Sequence, residues 1–433
     1  MSNWRITIKK RTQTGCLMWL LILLPFLFGL LNELLALPKA IRYILDVAWF
    51  GLLGFMLLKR RMRKSAGISQ SAIWIWMFLL YSLIGSLVQL QSPLFYLWGI
   101  RNNFRFYVAY FAFCSFLAFD DVEEFFSLFD WLFWLNFVVA LYQYFILGLE
   151  GDYLGGIFGV ETGANGYSNV FFLIVSIKTI VFYLTKREKL WMCLTKCAAM
   201  LLVAALAEMK FFFAEFALVL VCAILTTGFT LRKLNIILGG TLILLVCVEL
   251  LSAIFPMFDG FFSLSNFWEK ATSDKGYTSS GDLNRLNAIP QINELWLHNG
   301  WQRLFGLGLG NCDTSGFAFL NTPFFEKYGD YHYTWLSYAM IYLETGWIGL
   351  IFYFGFFVLV YHRVGKIQKT VHGEAACYCL LARIMAILCM IISIYNSSLR
   401  TEAGYMAYFV LAIPFVIDKR RRNVEDNNAE KPD

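Results

Sequence analysis

The sequence predicts an all-α, polytopic membrane protein with about twelve transmembrane helices and a large external loop ahead of the tenth. Hydrophobic residues fill 59 % of its 433 positions and charged residues 15 %, and mean hydropathy is +0.60. A soluble core of this size needs a more highly charged shell. Apolar runs repeatedly approach the roughly 20 residues that cross a bilayer as a helix, the form that satisfies backbone hydrogen bonds within each crossing. Clusters of Lys and Arg between the runs give their direction, since such clusters stay in the cytoplasm.

Lys9, Lys10 and Arg11 precede the apolar run 16–37. It is long for a signal peptide and lacks a clear cleavage site, so it reads as a first helix with a cytoplasmic amino end. Run 41–58 ends in Lys59-Arg60-Arg61-Met62-Arg63-Lys64, the strongest inside mark in the chain. Runs 71–90 and 102–118 form the next hairpin, around an outer segment with Pro93, Arg101 and Arg105. The two arginines share a helix face. That face is a candidate for binding an anionic headgroup, with plain interfacial anchoring as its alternative.

After an acidic linker at 120–124, run 125–148 leads outward to a glycine-rich loop over 148–166. Glycines permit tight turns and close approach to a ligand, while Glu161 and Asn165 place polar groups at the mouth of the following helix. The loop has no G-K-[ST] ending, which excludes a nucleotide phosphate loop on this pattern; a flexible connector is its plainer reading. Runs 167–184, 190–207, 211–229 and 234–255 follow, with Lys186, Arg187, Lys189 and Arg232-Lys233 as inside marks and Glu208 to Lys210 outside. Residues 256–333 therefore fall on the outer side, in agreement with their scarcity of Lys and Arg. Runs 334–361, 376–396 and 403–417 complete the bundle, with Arg363, Lys366, Lys369 and Lys419-Arg420-Arg421-Arg422 inside. The chain thus divides into a bundle at 1–255, an extracytoplasmic loop at 256–333, closing helices at 334–422 and a disordered cytoplasmic tail at 423–433.

The ten cysteines are scattered and read as small apolar residues rather than as a disulfide or metal framework. The net charge of +6 calls for no nucleic acid, because basic residues gather at cytoplasmic helix ends. His298 and His332 lie across the membrane from His362 and His372, so the four histidines form no zinc signature; neither metal nor cofactor is expected. Asp46, Asp130, Glu215, Glu249 and Arg383 fall within or near spans, which keeps a transport role open. Against it, glycine- and proline-broken helices do not recur in matched halves.

The loop 256–333 concentrates the groups that chemistry needs. Transfer from a membrane diphosphate donor requires cations to stabilise the departing diphosphate and a base for the acceptor hydroxyl. Arg285 offers a rigid fork of donors, Lys210 a compact charge from a neighbouring outer turn. His332 is the candidate base, because imidazole can be neutral near pH 7 and accept a proton. Each has an ordinary competitor: loop anchoring for Arg285, pairing with Glu208 or Glu215 for Lys210, and capping of the next helix for His332.

Several short motifs resemble the O-antigen ligase and polymerase superfamily, which includes bacterial exopolysaccharide polymerases. Ser280-Gly281-Asp282-Leu283-Asn284-Arg285 followed by Leu304-Phe305-Gly306-Leu307-Gly308-Leu309-Gly310 is similar to its loop arginine and glycine motif. His332-Tyr333-Thr334-Trp335-Leu336 and Glu344-Thr345-Gly346-Trp347-Ile348-Gly349-Leu350 resemble its histidine and E-x-G-x-x-G-L pattern. Gly159 to Asn165 is similar to a Gly/Asn stretch ahead of a family helix. Glu208-Met209-Lys210-Phe211 stands where many members have Ser-Arg-Gly, so Lys210 keeps the charge of a functional arginine without its planar fork.

The resemblance implies a GT-C-like membrane glycosyltransferase in the bacterial cytoplasmic membrane, with both termini cytoplasmic. It implies metal-independent, inverting transfer from a polyprenyl-diphosphate-linked oligosaccharide, such as an undecaprenyl-diphosphate donor, to a saccharide acceptor. His332, Arg285 and Lys210 would then be catalytic, with Arg101, Arg105, Glu161, Asn165 and Glu344 binding substrate. Membrane lipids, a flippase and a chain-length regulator are the partners this implies. The loop lacks an obvious basic surface for a phosphorylated lipid core, which favours a polymerase; a ligase is the alternative, and a non-enzymatic polysaccharide or lipid transporter a third.

Overall fold

The computed structural model describes residues 42–58, 66–226, 231–254 and 281–429, with isolated positions between 15 and 26 and residue 273. The basic cluster 59–64, most of run 16–37, most of 256–280 and residues 430–433 lie outside the described residues, and with them the expectations placed there. The described chain is helical, with no strand. Helices α1 (Arg42–Leu58), α2 (Ala66–Val88), α3 (Pro93–Phe116) and α4 (Phe119–Phe145) come first. Then follow α5 (Ala164–Leu184), α6 (Leu190–Leu206), α7 (Lys210–Thr226) and α8 (Leu231–Ile254). The segment 281–336 carries three short helices, α9 (Ala288–Leu295), α10 (Gly300–Phe305) and α11 (Pro323–Tyr328). Long helices α12 (Ser337–Gln368), α13 (Glu374–Tyr395) and α14 (Ala403–Ala429) close the fold.

Among the described residues, five helices are long and apolar enough to cross a membrane: Ile68–Val88 within α2, Phe119–Phe145, Ala164–Leu184, Ser337–Gln368 and Glu374–Tyr395. Helix α2 shows what kind of solvent its outer face expects. Ile73, Trp76, Leu80, Leu83 and Leu87 recur at helical spacing and are all exposed, while Ser71, Ser82 and Ser86 are buried with Ile75 and Phe78. Water would favour the reverse arrangement; lipid favours this one, because small residues permit close helix packing and tails solvate leucine. The fold is that of an all-α membrane protein.

Helix α5 is buried almost throughout. Helix α12 packs on α2 and α13, and α14 lies against α3, α13 and α5. Lipid tails are as apolar as leucine, so packing and interhelical polar contacts, more than transfer from water, hold such helices together. Tyr107 of α3, Phe356 of α12 and Tyr408 of α14 form one aromatic knot, with ring centroids 4.9 to 5.7 Å apart. A buried four-charge cluster joins α4, α5 and α6. Asp130 takes Lys178 and Lys196 (3.0 Å), and Lys196 also reaches Glu188 at 2.8 Å. Arg383 is likewise bonded, to Gln368 and the Tyr361 hydroxyl.

Two boundaries differ from the sequence reading. The large loop is partly helical, because Asn299 accepts from the Gln302 amide, Thr322 accepts from the Phe325 amide and Pro323 starts α11. Helix α14 continues to Ala429, past the expected start of a disordered tail at Asn423. No Gly or Pro interrupts that stretch, and Asp418 pairs with Arg421 and Arg422 one turn on.

Candidate functional site

Four connections meet at one end of the bundle: the α4–α5 loop, the α6–α7 turn, segment 281–336 and the α13–α14 turn. They enclose a cavity of about 680 Å³ lined by Glu161, Asn165, Lys210, Arg285, Trp335 and Glu402, among others. Asn165, in the first turn of α5, ties two of the walls. Its amide donates to Asp152 at 2.9 Å and to the Ala207 carbonyl at 3.3 Å. One helical turn deeper, Asn169 also lines the cavity and donates to the fully buried Glu215 of α7 at 3.0 Å.

Arg285 is held by its surroundings rather than left to search. Its guanidinium donates to the Tyr395 carbonyl at 3.0 Å and lies 4.2 Å over the Tyr395 ring. That ring stacks on Phe211 at 3.7 Å and 7°. At such separations one face of a ring has room for a single partner, so Arg285 and Phe211 take opposite faces of Tyr395. The Tyr338 hydroxyl donates to the Arg285 carbonyl at 2.6 Å, fixing the backbone as well. Lys210 precedes Phe211 and opens α7, following a tight turn in which Glu208 adopts a φ of 51°. The stack thus ties Arg285 to the residue that follows Lys210, and both cations line the cavity.

The cavity lining also carries a fixed carboxylate. Glu402 is buried, accepts from the Tyr167 hydroxyl and pairs with Arg105 at 3.4 Å. Arg105 also donates to the Arg400 carbonyl at 2.8 Å. The Arg400 side chain reaches Asp313 at 2.8 Å, and Asn102 donates to the same carboxylate at 2.7 Å. Arg105 is therefore a buried positioning residue behind the cavity, contrary to its expected place on a headgroup-binding face. Arg101 also lies off the cavity, stacked 4.9 Å from both Tyr43 and Trp98 and bonded to Asn102.

Glu344 departs further from its expected role. Its carboxylate accepts from the Cys312 amide at 3.3 Å inside a sealed joint between α12 and the glycine motif 306–310. The Leu307 and Gly308 amides donate to the Leu343 and Glu344 carbonyls, both at 2.9 Å. A Cβ at Gly306 would strike the Glu344–Thr345 backbone, and one at Gly346 would strike the Leu304 carbonyl. Both glycines also have positive φ, 71° and 63°, and Gly346 kinks α12. The two glycine motifs are the halves of one backbone contact. Beside them, burial pushes the Cys312 thiol well above its ordinary range, helped by the Glu344 and Asp313 carboxylates, and also raises the Tyr333 phenol. The Tyr333 hydroxyl donates to the Cys312 carbonyl at 2.7 Å.

His332 comes to the cavity's edge without lining it. It adopts left-handed φ and ψ of 52° and 25° and stacks on Trp335 at 3.9 Å and 22°. Trp335 occupies the wall. The His332 Nδ1 is buried with no hydrogen-bond partner among the described residues. Of the expected residues the structure gathers Lys210, Arg285, Glu161 and Asn165, sets His332 one ring behind, and leaves Arg101, Arg105 and Glu344 outside.

Sequence reasoning singled out neither Tyr395, Asn169, Tyr167 nor Glu402, and met Trp335 only as part of the histidine motif. The run Asn396-Ser397-Ser398 to Thr401-Glu402 carried a usable signal, being a polar stretch between two apolar runs. The lining includes two cations, Lys210 and Arg285, and four carboxylates, Asp152, Glu161, Glu208 and Glu402, with Asn, Ser and Thr between. Such a lining suits a ligand with an anionic part and a hydroxyl-rich part. Among the described residues no cluster of His, Cys, Asp or Glu has the makings of a metal site.

Fold and cavity together define a helical membrane protein with a charged, ligand-sized cavity at one end of its bundle. The chain matches no protein-family model and no curated protein.

Proposed function

We propose that this chain is a membrane glycosyltransferase that polymerises polyprenyl-diphosphate-linked saccharide repeat units. The observation that supports the reading is that Lys210 and Arg285, far apart in sequence, both line one cavity together with carboxylates and amides. Preorganised cations facing a leaving group are the largest single source of rate in reactions that release charge. The same reading places the site on the outer side of a bacterial cytoplasmic membrane, within a GT-C-like bundle of about twelve spans.

In the reaction, an acceptor hydroxyl attacks the anomeric carbon of the donor sugar from the face opposite the diphosphate. The bond from that carbon to the diphosphate oxygen breaks, and the diphosphate leaves with the electron pair. Lys210 and Arg285 stabilise the charge it carries away. The hydroxyl proton passes to His332, whose imidazole stands behind Trp335 at the cavity's edge. Glu161 and Asn165 hold the saccharide at the entrance.

Reconstitution with lipid-linked repeats tests this reading, with glycan length and released polyprenyl diphosphate as the readouts. The intact protein is expected to lengthen chains, and Arg285→Ala and Lys210→Ala to stop elongation while remaining folded. Unchanged elongation in both variants sinks the site. Passage of intact substrate without a new glycosidic bond identifies a transporter instead, and transfer to a lipid core without elongation identifies a ligase.

A further inference from the structure

Among the described aromatic side chains on the cavity wall, Trp335 alone is exposed, at 46 %. The others are committed. Phe158 and Phe212 are buried, Tyr395 is layered between Arg285 and Phe211, and Tyr167 stacks on Phe158 while its hydroxyl serves Glu402. Trp335 has spent one face on the His332 imidazole. Its backbone amide donates to the His332 carbonyl at 2.9 Å, which fixes the indole's base. What remains of the indole is an exposed aromatic surface in a cavity that also carries charges, amides and hydroxyls.

A diphosphate has no use for such a surface, whereas a pyranose does. One face of that ring presents C–H bonds, which pack on an aromatic plane, and its rim presents hydroxyls, which donate to carboxylates and amide oxygens. The rim acceptors are in place. Glu402 is locked by Arg105 and Tyr167, and Asn169 keeps a buried Oδ1 with no partner among the described residues. A tryptophan serving only as an interfacial membrane anchor would need neither the cavity position nor these neighbours.

We infer that the indole of Trp335 is a stacking platform for a pyranose ring, so that the cavity has a saccharide subsite beside its diphosphate wall. The ligand class rests on the transferase reading; the platform itself is a claim about one ring. With the sugar on the free face of Trp335, the indole stands between it and the His332 imidazole.

The test uses the full chain in nanodiscs and two kinds of probe. Free glucose, galactose, N-acetylglucosamine and N-acetylgalactosamine, followed by saturation-transfer NMR, report on the platform; undecaprenyl diphosphate without sugar reports on the cationic wall. At least one sugar is expected to bind the wild type and Arg285→Ala alike. Trp335→Ala should weaken that sugar about tenfold, the equivalent of roughly 1.4 kcal/mol, and Trp335→Phe should restore most of it. Trp335→Leu keeps an apolar partner for His332 and replaces the alanine variant if that one does not fold. Bare undecaprenyl diphosphate should bind wild type and Trp335 variants equally. Undiminished sugar binding in Trp335→Ala, or no sugar bound by the wild type, overturns the platform. Equal weakening of sugar and bare lipid also overturns it, by showing a structural role. Failure of Arg285→Ala to weaken the bare lipid instead counts against the diphosphate wall and leaves the sugar result to stand by itself.

Discussion

The cavity and the joint at Gly306 and Gly346 occupy the same end of the bundle, and both are built from motifs of glycine, charge and aromatic residues. They differ in where their polar groups point. In the cavity, Arg285 is held by Tyr395 and Glu402 by Arg105 and Tyr167, and both side chains line an open volume together with Lys210. In the joint, backbone amides close on backbone carbonyls, and Glu344 turns its carboxylate inward to the Cys312 amide. Motif content alone therefore does not separate a binding wall from a structural seam; the direction of support does.

Substitutions in the two regions should fail in opposite ways. The largest effect is expected at Arg285→Ala, with elongation falling about 100- to 1,000-fold while the unfolding temperature stays put, because a preorganised donor is lost from an open wall. A drop in unfolding temperature in proportion to activity would erase the distinction. Arg105→Ala stands between the regions. It strands Glu402 as a buried charge and should destabilise the fold by about 3–5 kcal/mol in thermal or denaturant unfolding, with Arg105→Met/Glu402→Met recovering most of that loss. A double variant no better than the single one would show that the pair does more than neutralise itself.

Gly346→Ala should cost stability first and activity only in consequence. The backbone there, with φ 63° and ψ −166°, lies in a region almost confined to glycine and costs another residue about 1–3 kcal/mol, and contact with the Leu304 carbonyl adds to it. Activity lost at full thermal stability would move the joint into the catalytic region. The smallest effect concerns Cys312. A thiol whose pKa is raised stays protonated where a free cysteine near 8.5 ionises, and the thiolate is the reactive form. Site-resolved alkylation of the folded protein should therefore stay slow from pH 7 to 9 and become fast on unfolding; rapid labelling at pH 8 in the folded state would mean that the joint opens.

Helix positions were legible because a bilayer imposes length and composition. The run 376–396 and the observed α13 (Glu374–Tyr395) differ by one or two residues at each end. What stayed hidden depends on partners remote in the chain. Arg105 reads as a headgroup anchor until Glu402, nearly 300 positions later, is seen to claim it. Glu344 sits in a motif that suggests ligand binding, and only the return of the 306–312 segment shows what it faces. Between His332 and Trp335, which side chain meets the cavity follows from one left-handed turn, and composition does not encode that turn. Lys210 and Arg285 were visible as charges outside the spans, but not the aromatic stack that ties Arg285 to the residue after Lys210.

That stack has a consequence for how this molecule can evolve. Phe211 is in the first turn of α7, Tyr395 ends α13 and Arg285 belongs to segment 281–336, yet each layer rests on the next. A drift in ring size at position 395 would shift the guanidinium on one side and the start of α7 on the other. Changes at 211, 285 and 395 should therefore arrive together along a lineage or not at all. Three correlated columns among distant relatives would be the genetic trace of that layered contact.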